Sequence, residues 1–311
     1  MKLRIFTAFL ATLILAAPFA KSAVVKETGV YNIADTDTLK YDRYYCAETP
    51  LTSTLIFAFG GSFKAGERDN KDYIPFFNFL AENGVNVVSI DYRTALASVP
   101  ASQMASIEGF KDALQQAITV AVMDFLTATG YVMSKSEEWG TDPTKIFACG
   151  SSAGAITALQ AENVLIGGSL GGIFPEWFNY AGVISFAGAV CADGEPVWTE
   201  KTAPLMLFHG DADNVVPYEK AVIGNMGLYG SKTISNTLNG MDIPHVFHTV
   251  MGASHEVCIN PMNVYRTEIM QFIRDAANGG IGEITILTGR KPGVKDYKTD
   301  FTIMDYLRAN M

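Results

Sequence analysis

Two serines in this chain sit in a Gly-x-Ser-x-Gly frame, a spacing that lets a serine hydroxyl act as a nucleophile. They are Ser152, in Gly150-Ser151-Ser152-Ala153-Gly154, and Ser169, in Gly167-Gly168-Ser169-Leu170-Gly171. The chemistry would be acyl transfer, with the serine oxygen attacking a carbonyl carbon. The frame works where a strand turns sharply into a helix, because a side chain at either glycine would crowd the strained turn that lifts the hydroxyl clear. Ser152 has that setting: the apolar run Lys145–Cys149 precedes it, and Ala153-Gly154-Ala155-Ile156-Thr157-Ala158-Leu159 follows as a small-residue helix start. Ser169 has no clear strand before it, and Gly172-Ile173-Phe174-Pro175 after it is a poor start for a helix. Ser152 is the candidate nucleophile; Ser151 and Ser169 are read as structural.

A serine nucleophile needs a base, and the histidines are His209, His245, His248 and His255. His245 and His248 fall inside a β-like run, where a polar side chain facing a helix or solvent is ordinary. His255 follows that run in Met251-Gly252-Ala253-Ser254-His255-Glu256, at the edge where a base can hang over Ser152. The segment His209-Gly210-Asp211-Ala212-Asp213-Asn214-Val215-Val216-Pro217 also follows a β-like run, and its two aspartates, Asp211 and Asp213, compete as the acid that orients the histidine.

The elements that must position these residues alternate. Strand-like runs are predicted at Thr54–Phe59, Val85–Asp91, Lys145–Cys149, Ala181–Phe186, Pro204–Phe208 and His245–Val250. Several are continuously apolar, as in a parallel sheet covered on both faces. Helical spacing is predicted at Tyr73–Asn83, Ile107–Thr129, Ala153–Glu162, Tyr218–Leu228 and Pro261–Ala277. The alternation specifies an open α/β sheet with right-handed crossovers, and chemistry in such a sheet sits where strand ends pass into helices. With neither an internal repeat nor a Pro/Ser-rich linker, residues 23–280 read as one domain. Residues 281–311 read as an extension packed on it, with a β-like run at Ile284–Leu287, a helix from Phe301 and no assigned role.

At this point the motifs resemble those of a known family. The segment from His209 to Pro217 is similar to the HGxxDxxVP segment of α/β-hydrolase esterases, whose acid aligns with Asp213 and leaves His209 and Asp211 to shape the turn. Phe59-Gly60-Gly61-Ser62-Phe63 stands where hormone-sensitive-lipase-like esterases carry HGGGF, and Asp91-Tyr92-Arg93-Thr94-Ala95 is similar to their DYRLA segment. These motifs run in family order between residues 54 and 258. The resemblance implies an α/β-hydrolase fold, a mostly parallel central sheet with helices on both faces. It also implies a catalytic set of Ser152, Asp213 and His255, with backbone N–H groups of Gly61, Ser62 and Ala153 holding the oxyanion. Two departures stand out: Phe59 occupies the family's histidine position and Ser62 that of its third glycine. Asp91 and Arg93 are read as structural, in an ion pair or a hydrogen-bonded turn behind the oxyanion loop. A disulfide between Cys191 and Cys258 is expected to steady the histidine loop.

Few residues separate Ala181–Phe186 from the run at Pro204, so no large cap domain fits there. Phe63, Phe174, Trp177 and Phe178 are the candidate lining of a substrate pocket. The activity implied is carboxylic-ester hydrolysis on short-acyl or aromatic esters, including acyl groups on polysaccharides, with no cofactor and no metal. A serine peptidase or amidase of the same fold and an inactive scaffold used for binding are the alternatives.

Composition bounds the setting. Met1, Lys2 and Arg4, the apolar run Ile5–Ala17 and Ala20-Lys21-Ser22 read as a signal peptide over residues 1–22, so the mature chain is expected outside the cytoplasm. No later stretch reads as a membrane span. Removing the leader deletes three positive charges and takes the formal net charge from −9 to −12, which argues against a nucleic-acid partner.

Overall fold

The computed structural model describes residues 23–34, 36–168 and 172–310. The candidate leader, residues 1–22, and Ser169 with Leu170 and Gly171 lie outside the described residues. The chain opens with an antiparallel hairpin, β1 (Val24–Ala34) and β2 (Asp37–Cys46). It continues through β3 (Ser53–Ala58), α1 (Ile74–Glu82), β4 (Val85–Ile90), α2 (Ile107–Ser134) and α3 (Ser136–Trp139). The segment around Ser152 is β5 (Ile146–Ser151) followed by α4 (Ala153–Ile166). Next come β6 (Gly182–Phe186), β7 (Ala189–Asp193), β8 (Leu205–Gly210), β9 (Lys220–Ile223), β10 (Met226–Gly230) and α5 (Ser231–Gly240). The remainder is β11 (His245–Met251), α6 (Asn260–Val264), α7 (Arg266–Ala277), β12 (Thr285–Arg290) and α8 (Ile303–Asn310).

Nine strands form one sheet in the order β1-β2-β4-β3-β5-β6-β8-β11-β12. From β4 to β12 every neighbouring pair is parallel, and the N-terminal hairpin joins antiparallel through β2 and β4. The central strands β3, β4, β5, β6 and β8 are buried along their whole length, which is why they read as unbroken apolar runs. Because these strands are parallel, their C-terminal ends share one edge, and the loops leaving β3, β5, β8 and β11 meet there.

Helix α2 begins at Ser106, whose hydroxyl accepts from Gly109 N–H at 3.0 Å, an N-cap that satisfies one of the free amides at a helix start. Its most apolar 18-residue window has a mean hydropathy of 1.4, long and apolar enough by composition to cross a membrane, against the expectation that no such stretch follows the leader. Here Phe110, Leu114, Ile118, Phe125 and Leu126 are buried in the core, so the apolarity serves packing between α2, α4 and the sheet.

Two expectations differ from the structure. The helix predicted over Tyr218–Leu228 is the hairpin β9–β10, which turns at Gly224 (φ 62°) and joins β7 in a second, three-stranded antiparallel sheet. The helix in that region is α5, which starts at Ser231, thirteen residues after Tyr218. The helix predicted over Pro261–Ala277 is broken at Tyr265 into α6 and α7. Residues 281–311 pack on the same body: β12 adds a parallel strand beside β11, and Tyr297 donates from its hydroxyl to Asp211 Oδ2 at 3.1 Å.

Candidate active site

The turn at Ser152 is strained in the way its flanking glycines foretell. Ser152 has φ 52° and ψ −118°, a left-handed backbone that a side chain rarely adopts, and it joins β5 directly to the first residue of α4. A Cβ on Gly150 would lie 2.1 Å from the Gly154 carbonyl oxygen, and one on Gly154 would lie 2.1 Å from that of Ala58. Neither position has room for any side chain. The turn is held by Ser152 N–H donating to Phe186 O at 2.8 Å and by Ile156 N–H donating to Ser152 O at 2.9 Å.

His255 starts a short helical turn after β11, and its Nε2 lies 2.8 Å from Ser152 Oγ. Its Nδ1 lies 2.8 Å from Asp213 Oδ2. A carboxylate only accepts, so Nδ1 carries the hydrogen and Nε2 is left to accept from the serine hydroxyl. Asp213 is 3% exposed. Its Oδ1 accepts from Val215 N–H at 2.8 Å and Val216 N–H at 3.0 Å. Burial pushes the carboxyl up, but hydrogen bonds from His209 and His255 outweigh it and hold the group well below the usual carboxylate range. The three sequence-predicted residues, remote along the chain, are thus brought into one hydrogen-bonded row.

The other titratable candidates take supporting places. Asp211 accepts from Gly252 N–H at 2.7 Å and from Tyr297, so it ties the histidine loop to the tail. His209 is wholly buried: its Nδ1 accepts from Ser231 Oγ at 2.8 Å, and its Nε2–H faces Val216 O at 3.2 Å and Asp213 Oδ2 at 3.4 Å. This second imidazole on Asp213 is a site residue that the sequence reading left to turn shaping; its position four residues before the aspartate was the available signal. His245 and His248 are buried rather than solvated. His245 is bonded to Ser235 and Ile243, while His248 stacks on Phe208 at 4.6 Å, with burial lowering its imidazole to about 4. Ser151 donates to Cys258 O at 2.8 Å, pinning the strand before the nucleophile to the turn that follows His255.

The loop after β3 carries two consecutive non-glycine residues in left-handed conformations, Ser62 (φ 53°) and Phe63 (φ 58°), behind Gly61 (φ 142°). A Cβ on Gly61 would lie 1.9 Å from Ala65 O, so glycine is required there. The Gly61 carbonyl accepts from Lys64 N–H at 2.9 Å and Ala65 N–H at 3.1 Å, and Leu96 N–H donates to Phe63 O at 3.0 Å. Ser62, Phe63 and Ala153 border a small enclosed cavity at Ser152; Gly61 stands one residue behind it. Phe59, in place of a histidine, stacks on Tyr92 at 4.4 Å, and the Tyr92 hydroxyl donates to Phe59 O at 2.8 Å. An aromatic stack therefore holds the start of the loop where a polar side chain was expected. Tyr73, which sequence reading missed, accepts from Gly60 N–H at 3.1 Å.

Asp91 and Arg93 are structural but paired separately. Arg68 clamps Asp91 at 2.9 and 3.0 Å, and Arg93 binds Asp124 of α2 through both its guanidinium and its backbone N–H.

Two expectations about the surroundings are corrected. Phe174, Trp177 and Phe178 line a cleft beyond the far end of α4, with Leu165 and Ile166, and not the cavity at Ser152. At 1.5 Å rise per residue, the length of α4 sets them roughly 20 Å from the nucleophile. Cys191 and Cys258 are free thiols. Cys191 packs in β7 near Tyr306 and Cys258 sits beside Ser151, and burial raises both thiols.

Comparison with known proteins bears on the fold that carries this geometry. A protein-family model described as BD-FAE matches residues 44–167, a span that holds the oxyanion-loop candidate and Ser152 but neither Asp213 nor His255. Thermogutta terrifontis esterase 2 phosphonylated by cyclosarin superposes with a TM-score of 0.54 at 19% identity, covering 80% of this chain and 92% of that one. The chain has the α/β-hydrolase fold. The apo form of that esterase gives 0.54 at 19% identity over 85% of this chain and 96% of that one, and its propionate-bound form gives 0.53 at 18% over 83% and 97%. No curated protein sequence matches the chain.

Proposed function

We propose that this α/β-hydrolase chain is a serine carboxylic-ester hydrolase that acts outside the cytoplasm after loss of residues 1–22, on short-acyl esters that include acyl groups carried by polysaccharides. The observation that carries the reading is the row Ser152–His255–Asp213, with 2.8 Å at each hydrogen bond. The solved esterases of the same fold, among them phosphonylated and propionate-bound forms, support it.

Each residue's part follows from its contacts. Ser152 Oγ attacks the ester carbonyl as Nε2 of His255 takes its proton, and a C–O bond forms as the carbonyl becomes an oxyanion. Asp213, ionised and doubly bonded, stabilises the imidazolium and keeps the ring in its working tautomer. The N–H groups of Gly61, Ser62 and Ala153 are the proposed donors to the oxyanion, and removing one such donor typically costs about 3 kcal/mol of barrier. Collapse returns the proton from His255 to the departing alcohol; water then repeats the sequence on the acyl-serine.

The test is Ser152→Ala assayed on p-nitrophenyl acetate, with a fluorophosphonate probe on the unmodified chain. Loss of turnover by a factor on the order of 10⁴ or more, with labelling at Ser152, is the expected result. Hydrolysis that persists in the variant sinks the reading.

A further inference from the structure

The cavity beside Ser152 has a volume of about 10 Å³, room for roughly one water molecule. Its apolar lining includes Leu96, Leu114 of α2, Ile156 and Tyr306, the last a residue of the tail to which sequence reading gave no role. Tyr306 is 2% exposed and projects from α8 edge-on to Phe110 of α2, 6.1 Å between ring centroids, with Phe301 at 6.4 Å on another side. The segment that delivers it is anchored on the body at two points and braced within itself at a third. Its β12 is paired to β11, Tyr297 is bonded to Asp211, and Asp305 accepts from Thr302 N–H at 2.9 Å and Lys298 Nζ at 3.0 Å. Tyr306 is therefore a fixed wall, packed as densely as the core.

The chemistry decides which half of an ester meets this wall. His255 Nε2 must return its proton to the leaving oxygen, so the alcohol half lies on the imidazole's flank. The cavity is bordered by Ser152, by Ser62 and Ala153 of the oxyanion side and by Val216 of the acid loop, with His255 outside its lining, so its occupant rests against the oxyanion loop rather than the imidazole, as an acyl group does. The imidazole side reaches solvent, with the His255 side chain 19% exposed. We infer that Tyr306 is the specificity-determining residue of this site: its ring limits the acyl group to about two carbons while the alcohol half is free to be large. This rests on acyl transfer by Ser152 as read above. An aromatic acyl group needs a pocket on the scale of the usual 300 Å³ or more, which Tyr306 and Leu114 together deny it.

The experiment compares kcat/KM on p-nitrophenyl acetate, butyrate and hexanoate for the full mature chain and for Tyr306→Phe, Tyr306→Leu and Tyr306→Ala. Each protein is titrated with a fluorophosphonate to count active Ser152. The unmodified chain is expected to prefer acetate over hexanoate by at least about tenfold, since overfilling a tight pocket by methylenes costs roughly 10- to 200-fold. Tyr306→Leu and Tyr306→Ala should shift the acetate-to-hexanoate ratio toward the longer ester by about tenfold or more, and Tyr306→Phe should keep the original ratio. Should the Ala variant not fold, the Leu variant carries the comparison. A ratio unmoved by removal of the ring, or an unmodified chain that favours hexanoate, overturns the inference while labelling of Ser152 leaves the hydrolase reading intact. Absence of both labelling and turnover overturns the hydrolase reading itself.

Discussion

Glu162 offers a test of the structure that is independent of catalysis. It lies on α4, ten residues after the nucleophile, with no solvent exposure, and its Oε1 accepts from Ala203 N–H at 2.7 Å. Burial raises its carboxyl from 4.5 to about 7, only partly offset by the hydrogen bonds from Ala203 and Asn179. As pH rises from 4.5 the unfolded chain releases this proton first, so the unfolded state binds fewer protons and stability falls. The loss is complete once pH passes the folded value near 7. At roughly 1.4 kcal/mol per pH unit the gap amounts to about 3 kcal/mol. Glu162→Gln keeps the shape and an acceptor oxygen for Ala203 but cannot titrate. The stability of the variant minus that of the parent should therefore climb by about 3 kcal/mol between pH 4 and pH 8, with most of the rise between 4.5 and 7. Urea unfolding at a series of pH values, followed by tryptophan fluorescence, measures it, and groups common to both proteins cancel in the difference. A difference that stays flat across that range refutes the buried, neutral carboxylic acid described above.

Asp213→Asn should lower kcat on p-nitrophenyl acetate by about 10³- to 10⁴-fold, on the order of 4 to 5.5 kcal/mol at the transition state, because an amide can reverse the imidazole tautomer. A drop below tenfold would show that another group orients His255. Gly154→Ala drives a methyl into the Ala58 carbonyl at 2.1 Å, and overpacking against backbone costs about 3 kcal/mol or more. Thermal unfolding followed by circular dichroism should show a melting point lower by roughly 6 °C or more; one within 2 °C of the parent would mean that the turn opens without penalty.

What the sequence disclosed was the part governed by continuous burial. The strands around Phe57, Phe147, Ile184 and Leu207 are enclosed on both faces, so their apolar runs and the turn at Ser152 could be read directly. The N-terminal hairpin was passed over because exposed residues such as Val30 and Ile33 blur any period-two pattern on an edge. Tyr218–Leu228 was misread as a helix because its small and apolar residues satisfy helical spacing, and only Gly224 and the pairing with β7 reveal a hairpin. His209 and Tyr306 stayed hidden for another reason: each acts through a contact with a distant residue, Asp213 or the cavity at Ser152, that no local pattern encodes. The aromatic cluster at Phe174–Phe178 was placed at the site by composition alone, and the length of α4 removed it.

The glycines that crowd the start of α4 have one more consequence. Backbone from β3, β5 and the loop after β6 abuts this corner closely enough that Gly150, Gly154, Gly60 and Gly188 would each bring a Cβ to within about 3.1 Å of a neighbour. A corner packed this closely leaves nothing to vary, since any enlargement there would shift the turn that carries Ser152. Room for substitution lies instead on the wall formed by α2 and α8, where the side chains of Leu114 and Tyr306 border the cavity at Ser152.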